Sequence, residues 1–328
     1  MISSSVIQGH KVLGCLQFGS VLSDVISREI LNKAWDHGVR DFDVATLYGS
    51  GQAAGILGQF VKDRRLDSRL WCSVGLKEVP DPNGVFSVES FKQTKKNLST
   101  AVEEMLTKLD TDYIDLLNVH APDDSTPIEE TLEILDSFIA NGSIRQIGYS
   151  NFIPFQLQNI LQAEKTTGVT VSTFQLHGNL IEQRLLNEFQ RELQFAGKQV
   201  FCYRPFARGL LGRNYTRENP KPSESRATRG WRLDGYLTEE ILGKLEDLAR
   251  ISTKFAIPTV QLALIWLFQV RSVDGVIFGA RTIQQLNDVL DFTSYENLDQ
   301  ILEELVEFSK DSDFTTITSQ LPLFYFEK

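Results

Sequence analysis

Short apolar, strand-like runs alternate repeatedly with amphipathic helical stretches along this chain. GCLQFG (14–19), RDFDVA (40–45), LWCSVGL (70–76), YIDLLNVH (113–120), IRQIGYS (144–150), TVSTFQL (170–176), QVFCYRP (199–205) and VDGVIFG (273–279) read as strands. Helical patterns fill the intervals at 27–38, 51–63, 87–108, 127–141, 154–165, 183–195 and, after the last strand, 282–291. In the first of these, Ile30, Leu31 and Ala34 share one face. The strands are rich in β-branched and aromatic residues with little polar alternation, as parallel strands covered on both faces should be. Eight strand–helix repeats in about 250 residues predict an α/β fold of the (β/α)8 TIM-barrel type. A doubly wound open sheet is the alternative. It calls for a GxGxxG turn after the first strand, and GCLQFG lacks that spacing.

The chain reads as a single barrel domain over 1–328 with two additions. Residues 207–236, rich in Gly, Arg, Pro and Ser, read as a long loop after the seventh strand. Helices at 238–255 and 258–270 separate it from the eighth strand. The segment 297–328 opens with a helix (LDQILEELVEFSK) and ends in SQLPLFYFEK, expected to pack across one barrel end.

Thirty-three basic against forty-three acidic residues give a net charge of -10. That balance argues against nucleic acid or an anionic membrane as partner, while leaving room for a local basic pocket. No run of about eighteen apolar residues marks a membrane span. The start MISSSVIQGHKV lacks the basic-then-apolar order of a signal peptide, so a cytoplasmic location is expected. Cys15, Cys72 and Cys202 all sit in apolar runs, without CxxC or metal-ligand spacing. They read as buried thiols in a reducing compartment, and no metal site is expected.

In such a barrel, chemistry sits at the C-terminal ends of the strands. Asp43 ends the second strand and Tyr48 follows in its loop. His120 ends the fourth, and Ser150 and Asn151 the fifth. Gln175 lies in the sixth with His177 just beyond, Tyr203 and Arg204 in the seventh, and Arg281 after the eighth. Lys77 lies just past the third. Singly, each has a plain structural explanation as a turn cap, a core aromatic or a satisfied buried histidine. Together, an Asp, a Tyr, a His and a Lys at one mouth point to proton transfer. Tyrosine, with an ordinary pKa of about 10, is a poor acid until a nearby cation lowers it.

FDVATLYGSG (42–51) resembles the Asp-x-Ala-x-x-Tyr-Gly segment of the aldo-keto reductase superfamily. YIDLLNVHAPDDSTPIEETLEILDSFIANGSIRQIGYSNF (113–152), STFQL (172–176), YRPFARGLLG (203–212) and FGARTIQQLND (278–288) resemble further family segments, in the right order and over nearly the whole chain. The resemblance implies a barrel that binds NADPH, less often NADH, and reduces carbonyls. It gives Asp43, Tyr48 and His120 three places of a catalytic tetrad, with Tyr48 as general acid. Ser150, Asn151 and Gln175 match the residues that hold the nicotinamide carboxamide, and Tyr203 the ring that stacks on it. Pro205, Phe206 and Gly209 fall in the loop that passes the pyrophosphate, which puts 207–236 on the cofactor side. Gly279, Arg281 and Gln285 fall at the adenosine end. The guanidinium fork of Arg281 suits a 2′-phosphate, which favours NADPH. Arg208 and Arg213 are further cations for an anionic cofactor. Arg204 and His177 are candidates for substrate contact, with a pyrophosphate contact and a helix cap as their respective alternatives.

The tetrad lysine is the exception. Aligning LWCSVGL with the family's third strand puts Gly75, or Val74, in its place. If the strand stays regular, Gly75 and Lys77 point to the same side, and Lys77 could reach back to Tyr48 and Asp43. The alternative is that Lys77 extends to solvent, leaving Arg204 or a substrate group to supply the charge. Thr46 after Ala45, Arg204 in place of Ser and Val289 in place of Asn also depart from the family pattern. The resemblance thus implies an NADPH-dependent oxidoreductase acting on a small polar aldehyde, ketone or sugar-like carbonyl, with a homo-oligomer left open. The alternative is a nicotinamide-binding regulatory or partner subunit, a role that potassium-channel beta subunits give this fold.

Overall fold

The computed structural model describes residues 9–314 apart from 80–86, 224, 226, 230–232, 272, 292–294 and 296. Its centre is a closed barrel of eight parallel strands: β1 (His10–Gly14), β2 (Asp41–Ala45), β3 (Arg69–Val74), β6 (Ile114–Val119), β7 (Ile144–Ser150), β8 (Thr173–His177), β9 (Gln199–Tyr203) and β10 (Gly275–Phe278). β1 closes the ring by pairing with both β2 and β10. Strand side chains alternate, so each strand serves two cores. Val12, Trp71, Leu116, Phe201 and Ile277 fill the barrel interior. Their neighbours Leu13, Leu70, Leu117, Val200 and Phe278 pack outward against the helices.

The helices are amphipathic, and four of those described begin at a side-chain cap. Ser23 caps α1 (Asp24–Asp36), Thr94 caps α3 (Lys95–Leu109), Thr238 caps α7 (Glu239–Phe255) and Thr282 caps α9 (Ile283–Leu290). Also on the outside are α2 (Gln52–Val61), α4 (Ile128–Ala140), α5 (Pro154–Thr167), α6 (Arg184–Phe195), α8 (Thr259–Ile265) and α10 (Leu298–Lys310). Among the described residues no single helix is long and apolar enough to cross a membrane. Cys15, Cys72 and Cys202 are free and buried.

Three expectations about the elements are corrected. The first strand is HKVLG rather than GCLQFG. His10 to Leu13 find register partners from Gly275 to Phe278, and the later stretch turns back on itself through Leu22 N–H to the Gln17 carbonyl. The third strand does not run regularly through Gly75, which has φ +115°, a conformation that residues with a side chain rarely adopt. Beyond it the chain forms a hairpin of β4 (Leu76–Val79) and β5 (Ser87–Ser90). The long helix expected from 87 therefore starts only at Lys95, after its Thr94 cap. The terminal SQLPLFYFEK lies outside the described residues. Just before it, Asp313 accepts from Gln183 N–H (3.1 Å) and Phe314 N–H donates to the Ile181 carbonyl (2.9 Å), which docks the chain on the β8–α6 loop.

Candidate active site

One cavity opens at the C-terminal ends of the strands. Asp43, Tyr48, His120, Ser150, Asn151, Gln175, Tyr203, Arg204, Pro205, Phe206, Gly209, Gly279, Arg281 and Gln285 all line it. So do Arg208 and Arg213. Gln17, Tyr215 and Asp288 join them without a signal in the sequence, because each lies in a loop or helix whose approach to the mouth depends on closure of the barrel.

The titratable groups Asp43, Tyr48 and His120 of this cavity are buried. Tyr48 stands in the turn after β2, 9% exposed, with its ring edge-on to His120 at a centroid distance of 6.1 Å. Among the described residues the Asp43 carboxyl accepts one hydrogen bond, from Gln175 Nε2 at 3.2 Å. Burial pushes its carboxyl up to about 7, and the Gln175 bond only partly opposes this. Burial lowers His120 to about 4, so the ring is neutral near pH 7, and its buried Nδ1 has no partner among the described residues. Burial, then the charge of Asp43, raises the Tyr48 hydroxyl well above its ordinary value, while Arg204 pulls it down.

Asn151 ties several lining residues together. Its Nδ2 donates to the His120 carbonyl (2.7 Å) and to Ser150 Oγ (3.1 Å), and its Oδ1 accepts from the Tyr203 hydroxyl. One side chain thus ties the histidine strand to the aromatic platform. Gln285 folds back to accept from the Arg281 N–H at 2.9 Å, at the start of α9. Among the described residues, seven non-glycine residues have positive φ. Asp110 and Ala256 are helix C-caps, whereas Ser50, Asn151, Arg204, Ala207 and Arg208 all sit in loops at the mouth. Backbone strain is therefore concentrated at the cavity, the pattern expected where a site is built against local preference.

Two candidates fall elsewhere. Lys77 does not reach back over Gly75. It lies on the β4–β5 hairpin, half exposed, with its ammonium 2.8 Å from Glu89. The turn at Gly75 breaks the period-of-two argument that had put both residues on one side. His177 does not line the cavity. Its ring stacks behind Tyr203 (5.4 Å, 16° between planes) and donates to Glu182 at 3.0 Å.

The profile of the Aldo/keto reductase family matches residues 12–307. An aldo-keto reductase of Metarhizium robertsii is 28% identical, the match covering 90% of this chain and 86% of that protein. A probable voltage-gated potassium channel subunit beta of Arabidopsis thaliana is 29% identical, covering 83% of each. A glycerol dehydrogenase structure from Gluconobacter oxydans superposes with a TM-score of 0.79 at 22% identity, over 95% of this chain and 97% of that one, a likeness of fold. On the family match, supported by the barrel and its relatives, this chain belongs to the aldo/keto reductase family.

Proposed function

We propose that the protein is an NADPH-dependent carbonyl reductase in which Tyr48 is the general acid. The observation that carries this reading is that one cavity joins Asp43, Tyr48 and His120 to a half-buried aromatic face, Tyr203, and to a run of arginines. A nicotinamide dinucleotide fits these residues on structural grounds. Tyr203 offers a flat ring, and Ser150, Asn151 and Gln175 present amide and hydroxyl groups for a carboxamide. Gly209, at φ +97°, has open space where a Cβ would stand, and Arg208, Arg213 and Arg281 supply positive charge for phosphates. When bound, the reduced nicotinamide supplies the hydride.

The chain's own residues handle the proton. Tyr48 keeps its hydroxyl protonated near neutral pH and gives that proton to the oxygen of the reduced carbonyl. Neutral His120 orients the carbonyl by hydrogen bonding. Arg204 takes the place of the family's lysine, because it lines the cavity and favours the tyrosinate that remains after transfer. An arginine stabilises charge without giving up a proton of its own. His120, Arg204 and Gln17 make the mouth polar, which supports a polar aldehyde, ketone or sugar-derived substrate.

The test is NADPH consumption over a panel of sugar and simple aldehydes, wild type beside Arg204→Met. Turnover by wild type with a loss of about tenfold or more in the variant is expected. A second reading, a cofactor-binding partner subunit, draws on the displaced Lys77 and on the channel-subunit relative. Tight NADPH binding without turnover of any carbonyl would favour it.

A further inference from the structure

Behind the cavity wall lies a buried carboxylate that touches none of the lining chemistry directly. Glu182 is 3% exposed, in the loop between β8 and α6. It accepts from His177 Nε2 (3.0 Å), Asn179 Nδ2 (2.7 Å) and the Tyr236 hydroxyl (2.9 Å). Burial alone would raise its pKa, but attraction to the His177 ring and these three bonds outweigh that and hold the carboxyl well below the usual carboxylate range.

Each partner makes a second contact at the wall. The His177 ring stacks parallel on Tyr203. Asn179 Nδ2 also donates to the Arg204 carbonyl at 3.1 Å, where the backbone is left-handed (φ +56°). The Tyr236 hydroxyl accepts from Arg208 Nε at 3.1 Å, and the Arg208 guanidinium lies 5.4 Å from the centre of that tyrosine ring. Tyr203, Arg204 and Arg208 all line the cavity. A buried carboxylate is tolerated only when fully partnered, so the four groups are mutually dependent.

We propose that Glu182 is a positioning residue for dinucleotide binding: through His177, Asn179 and Tyr236 it holds the Tyr203 ring, the Arg204 backbone and the Arg208 guanidinium in the geometry that receives the nicotinamide and phosphate groups. The proposal rests on the nicotinamide-cofactor reading above. It also assigns a task to Tyr236, which anchors the end of the long loop after β9 against the barrel.

The experiment measures the NADPH Kd by fluorescence, with melting temperature alongside, for wild type, Glu182→Gln, Tyr236→Phe and Glu164→Gln. Glu164 forms a partly buried ion pair with Lys198 (2.6 Å), away from the cavity, and reports what a purely structural loss does. The expected result is an NADPH Kd raised about tenfold in Glu182→Gln and about threefold in Tyr236→Phe. Glu164→Gln should lose melting temperature with its Kd unchanged. Should Glu182→Gln not fold, Tyr236→Phe decides, since it leaves the carboxylate two of its partners. A Kd within twofold of wild type in the folded variants, or an equal rise in Glu164→Gln, would overturn the proposal while leaving the cofactor reading intact. Wild type binding neither NADPH nor NADH would sink that reading and the proposal with it.

Discussion

Asp41 and Asp43 stand two residues apart on β2 and face the same barrel interior, yet their surroundings are opposite. At the floor, Asp41 accepts from His10 Nε2 (2.7 Å), Arg69 Nε (2.6 Å) and Trp71 Nε1 (3.0 Å). Burial would raise its carboxyl, but these bonds and the cationic partners outweigh burial and keep it below its ordinary value. At the mouth, Asp43 has Gln175 alone among the described residues, and burial pushes it up to about 7. The floor saturates its buried charge and closes the barrel. The mouth leaves a buried carboxylate short of partners beside a tyrosine, an arrangement costly for stability and suited to proton chemistry.

If the mouth is built for chemistry and the floor for stability, substitutions should separate the two. The largest effect is expected from Tyr48→Phe, which should lower carbonyl reduction about a thousandfold with NADPH binding within about twofold of wild type. Comparable turnover would break the comparison at once.

Next come the two aspartates, with opposite signs. The folded pKa of Asp43 lies above its unfolded value of 3.8. Below that value both states are protonated and nothing is lost. Between it and about 7 the folded state holds a proton the unfolded state has released, so stability falls as pH rises, and above about 7 the penalty is complete. Asp43→Asn should therefore gain stability at pH 8 by up to about 4 kcal/mol, with a smaller gain at pH 5.5, while losing activity. Asp41 is depressed instead, so its contribution is present above the unfolded value and is lost as pH falls through the folded one. Asp41→Asn should lose about 3 kcal/mol at neutral pH by leaving His10 and Arg69 without their carboxylate. Urea denaturation at both pH values checks the pair, and equal signs would contradict the division of labour.

The smallest effect sharpens the boundary of the mouth. Lys77→Met should change turnover less than about twofold and stability by less than about 1 kcal/mol, because its exposed pair with Glu89 lies on the hairpin. A large loss of turnover with NADPH binding intact would bring Lys77 back to Tyr48.

Much of the scaffold was legible because it is written in local periods. IRQIGYS, a strand-like run that follows a helix, is β7 to the residue, and LDQILEELVEFSK is α10. The positions at strand ends followed from the barrel, and the structure gathers Asp43, Tyr48, His120, Gln175 and Tyr203 around one cavity. GCLQFG misled because an apolar run with glycine at both ends looks like a strand, whereas pairing with both β2 and β10 selects the more polar HKVLG. Residues 87–90 misled because four residues of hairpin lie a short loop, 91–94, before a real helix.

The alternation of apolar runs and amphipathic helices already specifies the barrel, because it depends on side-chain periods that neighbours in the chain share, and the motifs at the strand ends already resemble the family. Which charges meet is a different matter. That Lys77 pairs with Glu89, that Asp41 is surrounded and Asp43 left short, and that Glu182 collects His177, Asn179 and Tyr236 all depend on where the backbone turns at Gly75 and on how distant loops close over the mouth. Electrostatic partners are set by distances of a few ångströms between residues far apart in sequence, and only the folded chain brings those distances into being.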